Sequence, residues 1–231
     1  MKVGIFTDSH YSSQEVTCGN RYNSRSLDKI REAYRFFARE NCDLVVCLGD
    51  LIDREDTHEK EVRALEQVAA VLHASHIQTV CMMGNHDGFT FTEEEFYQIL
   101  KSRKPTALCR EGKTLLFPDT CYFDDGTHYA PGDTDWKNTF FPHMEVLEQE
   151  LAAAQGDIYL FLHQNIDPAV RSDHRVCNAD AINALIWQHG NVKAVFQGHY
   201  HAGKQSIHHA VRYITFPAMC ENEHAYFIEE L

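Results

Sequence analysis

Five short apolar runs in this 231-residue chain each lead straight into side chains that bind cations, and that recurrence constrains the fold more than any other feature. Val3-Gly4-Ile5-Phe6 runs into Asp8-Ser9-His10, and the run from Asp43 to Leu48 runs into Gly49-Asp50-Leu51-Ile52-Asp53. Ile77 to Met82 precedes Gly84-Asn85-His86-Asp87, Ile158 to Leu162 precedes His163, and Val192 to Phe196 precedes Gly198-His199-Tyr200-His201. Short continuous apolar runs read as strands buried in a parallel sheet. Ligands of α/β proteins gather outside the carboxyl ends of such strands. The pattern therefore predicts an α/β fold with one polar centre at one end of its sheets.

Between these runs the spacing turns helical. Leu27, Ile30, Tyr34 and Phe37 share one face of a predicted helix from about Ser26 to Glu40. Asp56 followed by Glu59 reads as the start of another, carrying Val62, Leu65, Val68 and Leu72 inward. A third helix is expected near 92–101. The stretch 105–130 predicts short β segments around Leu115-Leu116-Phe117 and Cys121-Tyr122-Phe123. A long loop over 130–141 holds Pro131-Gly132-Asp133 and Trp136, the latter expected to be buried and to pin the loop. Pro142 fits the first turn of a helix with Met144, Leu147 and Leu151 inward. A polar loop at 163–177, a helix capped by Asn178 and alternating short strands over 204–229 complete the chain, with His208 and His209 structural on an edge strand. No repeat, linker or low-complexity segment interrupts it, which predicts one domain over 1–231.

The net charge is −13, from 21 basic and 34 acidic residues. Binding along a nucleic-acid backbone needs basic stripes, so the balance argues against a nucleic-acid partner. No apolar run approaches the length that spans a bilayer, and the N-terminus lacks a signal-peptide pattern. The eight cysteines form no C-x-x-C pair. They read as reduced thiols of a cytoplasmic protein with no membrane partner.

The five clusters offer carboxylate oxygen, imidazole nitrogen and one amide oxygen, a set suited to Mn, Fe or Zn. Two such ions side by side polarise a phosphoryl group, stabilise attacking and leaving oxygens, and acidify a bound water. A dinuclear site needs one bridging carboxylate, and Asp50, after a strand-ending glycine, is the natural bridge. Asp8 and His10 stand two residues apart and can point toward one ion. His199 and His201 have the same relation and can serve one metal each.

Taken together, Asp8-x-His10, Gly49-Asp50-x-x-Asp53, Gly84-Asn85-His86-Asp87, His163 and Gly198-His199-x-His201 resemble the signature of the calcineurin-like metallophosphoesterase superfamily. The resemblance implies a four-layer α-β-β-α sandwich of two mixed sheets. It implies one metal on Asp8, His10, Asp50 and His201, and a second on Asp50, Asn85, His163 and His199. By the same resemblance His86 faces the substrate and protonates the leaving oxygen or stabilises phosphoryl charge, with Asp87 orienting its imidazole. Asn20 to Leu27, Gly198 to Gly203 and the tail from Ile207 to Pro217 are similar to the manganese-dependent ADP-ribose/CDP-alcohol diphosphatase-like group. That group usually carries a glutamate in place of Asp87 and an aromatic, arginine-bearing run in place of Asn23-Ser24.

The implied activity is hydrolysis of phosphodiester or diphosphate bonds of a small, nucleotide-type substrate, with metal-bound hydroxide attacking phosphorus. The implied cofactors are two divalent or mixed-valence ions of the Mn/Fe/Zn type. Arg21 offers a bidentate phosphate contact and Tyr22 a stacking face, which makes both candidate substrate-binding residues. The alternatives are a phosphomonoesterase or protein phosphatase, a nuclease, and a non-catalytic metal-bound scaffold.

Overall fold

Side-chain alternation along the strands divides the interior into three apolar layers. The computed structural model describes residues 1–231. In β1 (Lys2–Phe6), Val3 and Ile5 point one way and Phe6 the other; in β2 (Leu44–Cys47), Leu44 and Val46 oppose Val45 and Cys47. With β3 (Thr79–Cys81) these form a parallel trio. A second sheet contains β4 (Leu108–Arg110), β5 (Lys113–Leu116), β6 (Asp157–Leu162), β7 (Val192–Gln197), β8 (Lys204–His208) and β9 (Val211–Thr215), in the order β4-β5-β6-β7-β9-β8. Its four central strands are parallel, and antiparallel β4 and β8 close its edges. β10 (Tyr226–Glu230) leaves this sheet and pairs antiparallel with β1, giving the first sheet the order β10-β1-β2-β3.

Val3, Ile5, Leu44, Val46, Tyr159, Phe161, Phe196 and Phe216 pack between the two sheets. The opposite face of the first sheet packs on α1 (Ser26–Arg39) and α2 (His58–His73), with α4 (Glu93–Ile99) alongside. The opposite face of the second sheet packs on α5 (Met144–Ala153) and α6 (Ala179–His189). This is the four-layer α-β-β-α sandwich. The carboxyl ends of β1, β2, β3, β6 and β7 converge at one rim.

Several local expectations are corrected. α2 begins at His58 after an extended Thr57, because Asp56 spends its carboxylate on Lys60, 2.7 Å away. Pro142 lies before the helix, whose cap is His143. Residues 121–123 make only isolated bridges, to Phe140 and His128, and form no strand. Asn178 precedes α6 without capping it, since its amide binds the backbone of Phe141 at 2.8 and 3.1 Å. A short helix, α3 (Asn85–Thr90), was not anticipated.

Candidate metal centre and cleft

Four residues at the rim hold backbone conformations that side chains rarely adopt: φ is 52° at Asp8, 43° at His10, 53° at Asp50 and 63° at His199. Left-handed backbone on non-glycine residues costs energy and persists where the surroundings impose it. Here the loops are tied by backbone bonds, Asp8 N–H to Gly49 O and His10 N–H to Asp50 O, both at 3.0 Å. The neighbouring glycines are required by close approach. A Cβ on Gly84 would overlap the Asp50 carboxylate, and one on Gly198 would collide with Thr7 and Asp8.

The carboxylates of Asp8 and Asp50 each have one oxygen tied down and one aimed inward. Oδ2 of Asp8 accepts from the Thr7 hydroxyl at 2.5 Å and the His199 N–H at 3.0 Å, while Oδ1 has no hydrogen-bond donor. Oδ1 of Asp50 accepts from the His86 N–H at 2.8 Å. Its Oδ2 faces Nε2 of His10 at 3.5 Å and Nε2 of His163 at 3.3 Å. Two imidazoles are oriented the same way. Nδ1 of His163 lies 2.9 Å from Leu48 O and Nδ1 of His201 lies 2.5 Å from Glu221 Oε1, so each turns Nε2 inward.

Two groups of donors result. Nε2 of His201 stands 3.3 Å from Asp8 Oδ1 and 3.3 Å from Nε2 of His10, with Asp50 Oδ2 beside them. Oδ1 of Asn85 stands 3.1 Å from Nε2 of His163 and 2.9 Å from Nδ1 of His199, again next to Asp50 Oδ2. Atoms sharing one ion through bonds of about 2.0–2.3 Å sit roughly 3–3.5 Å apart. The residues fit two cations, with Asp50 Oδ2 within reach of both donor groups.

The charges agree. Although burial works against it, the Asp50 carboxylate holds His163 up at about 9, and Asp8 and Glu221 hold His201 at about 9. Burial and the neighbouring His86 push His10 down to about 4; burial and His163 push His199 to about 3. Despite burial, Asp8 and Asp50 stay ionised well below the usual carboxylate range because imidazoles surround them. The centre is a concentration of lone pairs and negative charge that gathers positive charge. Another acidic cluster, Glu93, Asp119 and His128, already contains a cation: Lys104 Nζ contacts Glu93 and lies 3.0 Å from Asp119.

His86 is a quarter exposed and borders the centre. The expectation for Asp87 is corrected. Its fully buried carboxylate accepts from the backbone of Gly84 at 3.0 Å, Leu51 at 3.0 Å and Ile52 at 3.3 Å, and makes no bond to His86. Burial and the Asp50 charge raise it to about 7. Asp53 takes the place expected for Asp87, with Oδ1 3.2 Å from Nδ1 of His86.

Above the donors opens a cleft of about 370 Å³, bordered by Arg21, Asp50, Asn85, His86, Trp136, His174, His199, Tyr200, His201, Ala202 and Glu221. Arg21 reaches it, resting 3.5 Å from Asp53. Tyr22 does not: it is 40% exposed, and its ring packs under Arg25 outside the cleft. Trp136 lines the cleft instead of being buried beneath its loop. His174 and Glu221 are additions that no local pattern signalled. A larger open groove of about 1210 Å³ between α1 and α2 contains none of the clustered donors.

The calcineurin-like phosphoesterase family model matches residues 1–203. A probable cyclic nucleotide phosphodiesterase of Fibrobacter succinogenes is 28% identical over 217 residues, covering 87% of this chain and 73% of that protein. The manganese-dependent ADP-ribose/CDP-alcohol diphosphatase of Danio rerio is 31% identical over 110 residues, covering 45% of this chain and 33% of that protein. A crystal structure of a dimetal phosphatase from Danio rerio superposes with a TM-score of 0.85 at 20% identity, covering 100% of this chain and 92% of that one.

Proposed function

This chain belongs to the calcineurin-like phosphoesterase family, and on that premise we propose that it hydrolyses phosphodiester or diphosphate bonds of nucleotide-type substrates at a centre bridged by Asp50. The observation that carries the reading is the position of Asp50 Oδ2 between two donor groups. In this reading Asp8, His10, Asp50 and His201 would hold one ion, and Asp50, Asn85, His163 and His199 would hold the other. The nitrogen and oxygen donors support divalent or mixed-valence ions of the Mn/Fe/Zn type. When bound, two such ions neutralise phosphoryl charge and supply a water acidified toward neutral pH.

The chain's own groups do the rest. Asp53 holds the His86 ring through Nδ1, which leaves Nε2 as the nitrogen that faces the departing oxygen and passes it a proton. Arg21, which borders the cleft, contributes a charge for a second phosphate. Asp87 supports the site by bonding the backbone that carries Asp50 and Asn85. We read residues 1–231 as one domain, supported by the apolar layer common to both sheets. The eight unpaired thiols support a cytoplasmic setting, and no helix is long and apolar enough to cross a membrane.

The nucleotide-type substrate is supported by similarity to the probable cyclic nucleotide phosphodiesterase of Fibrobacter succinogenes and the ADP-ribose/CDP-alcohol diphosphatase of Danio rerio. The test is a panel of ADP-ribose, 2′,3′-cyclic AMP, bis-p-nitrophenyl phosphate and p-nitrophenyl phosphate, on chelated protein with and without Mn. Turnover should require the metal, with kcat/KM for diesters or the diphosphate at least tenfold above the monoester. Preference for the monoester would favour the phosphomonoesterase alternative.

A further inference from the structure

The cleft is asymmetric. Among its lining residues, Glu221 contacts His201 at 2.5 Å and Arg21 is a second charged group, whereas the ring centroids of Trp136 and His174 lie 5.7 and 5.8 Å from that of His199. The His199 side is aromatic. The Trp136 ring lies 4.9 Å from that of His174, and the His174 ring meets Tyr200 edge-on at 5.1 Å. Trp136, His174 and Tyr200 are each half-buried and border the cleft, and the Lys137 ammonium lies 5.1 Å from the Trp136 ring centroid.

The loops that carry this wall are tied down. Gly132 N–H donates to Phe89 O at 2.9 Å, and the Arg54 guanidinium donates to Asp133 O at 2.8 Å. Tyr129 O–H donates to Asp135 O at 3.2 Å. On the other side, Val176 N–H donates to Asn165 O at 2.8 Å, and Nδ1 of His174 is 2.9 Å from Asp173. A bond from Cys177 N–H to Thr139 O, 2.8 Å, joins the two loops. Rings held in place before a ligand arrives lose little entropy on binding.

We propose that Trp136, with His174 and Tyr200, is the stacking wall for the nucleobase of the substrate, so that the base lies on the His199 side of the centre. The assignment rests on the phosphoesterase reading for the placement of the phosphate. Stacking on a protein aromatic contributes about 1–3 kcal/mol per base, or roughly 5–150-fold in affinity. Tyr22 and the segment Asn23-Ser24 do not supply such a surface, since Tyr22 faces away and Asn23 is buried.

Calorimetric binding of AMP and of ribose 5-phosphate to the Mn-loaded protein tests the wall independently of turnover. Wild type should bind AMP at least tenfold more tightly than ribose 5-phosphate. Trp136→Ala should bring the two within about twofold by weakening AMP alone, and Trp136→Phe should restore most of the preference. AMP should also quench the fluorescence of wild type but not of Trp136→Phe, in which Trp187 is the remaining indole. Equal affinities in wild type, or equal weakening of both ligands by Trp136→Ala, would overturn the proposal. Base preference without hydrolysis of any phosphoester would instead overturn the phosphoesterase reading and leave the wall standing.

Discussion

Oδ1 of Asp53 lies 3.2 Å from Nδ1 of His86, and that contact determines which nitrogen of the imidazole is free to meet a substrate. The same carboxylate accepts from Asn23 Nδ2 at 3.1 Å and lies 3.5 Å from Arg21. Imidazoles on either side keep it ionised well below the ordinary aspartate range, although burial opposes this.

If Asp53 holds His86 as the proton donor, Asp53→Asn should lower kcat most where the leaving oxygen needs a proton. General acid catalysis contributes about 10²–10⁴-fold. A diester with an alcohol leaving group should lose roughly 10²-fold, whereas bis-p-nitrophenyl phosphate should lose less than about tenfold. Equal losses on both substrates would show that Asp53 serves only the loop.

Glycine at 84 is required because a side chain there would occupy the space of the Asp50 carboxylate. Gly84→Ala should therefore retain helix and sheet by circular dichroism, at a cost of about 1–3 kcal/mol in stability. Its metal content after Mn loading and desalting should fall below one ion per chain. Two retained ions would separate Asp50 from metal binding.

Glu221 reaches His201 Nδ1 at 2.5 Å, an orienting contact of the kind that strengthens a metal-binding imidazole. Losing such a partner typically weakens metal affinity about 10–100-fold. Glu221→Gln should show that loss for one of two Mn ions by calorimetry and leave the other unchanged.

How much of this was legible follows from how each group reaches the site. Asp8, Asp50, Asn85, His163 and His199 each follow an apolar run, so strand exits alone place them together. The role of Asp87 is hidden in the sequence because it depends on the three-dimensional path of the chain. The turn into α3 aims its carboxylate at the amides of Gly84, Leu51 and Ile52, away from its neighbour His86. Asp53 lay within a recognised motif, yet its contact with His86 joins loops 33 positions apart. Trp136, His174 and Glu221 come from segments with no periodic pattern, and only the cross-loop bonds bring them to the cleft. The helical faces of α1 and α2 were legible from spacing, whereas the return of β10 to the first sheet is a long-range pairing that alternation cannot reveal.

The cluster of Lys104, Asp119 and His128 gives a pH dependence separate from the centre. Burial favours neutral Asp119, but His128 and Lys104 prevail and lower its pKa. Burial also opposes protonation of His128, but Asp119 prevails and raises its pKa. The Asp119 contribution is present above its unfolded value of about 3.9 and is lost as pH falls through the lowered folded value. The His128 contribution is present below about 6.5 and is lost as pH rises through its raised folded value. Asp119→Asn should therefore cost most between roughly pH 4 and 6.5, about 1–3 kcal/mol. The difference from wild type should shrink at acid pH, as Asp119 takes up a proton, and again at alkaline pH, as His128 loses its own, in urea melts of metal-free protein. A difference independent of pH would exclude this linkage.

The central claim is that one carboxylate, Asp50, joins two cations, and anomalous scattering from a crystal soaked in Mn, recorded at its absorption edge, tests it most directly. The account predicts two peaks about 3.5–4 Å apart flanking Asp50 Oδ2, one beside His10 and His201 and one beside His163 and His199. A single peak, or strong peaks only at Glu93 and Asp119, would contradict it.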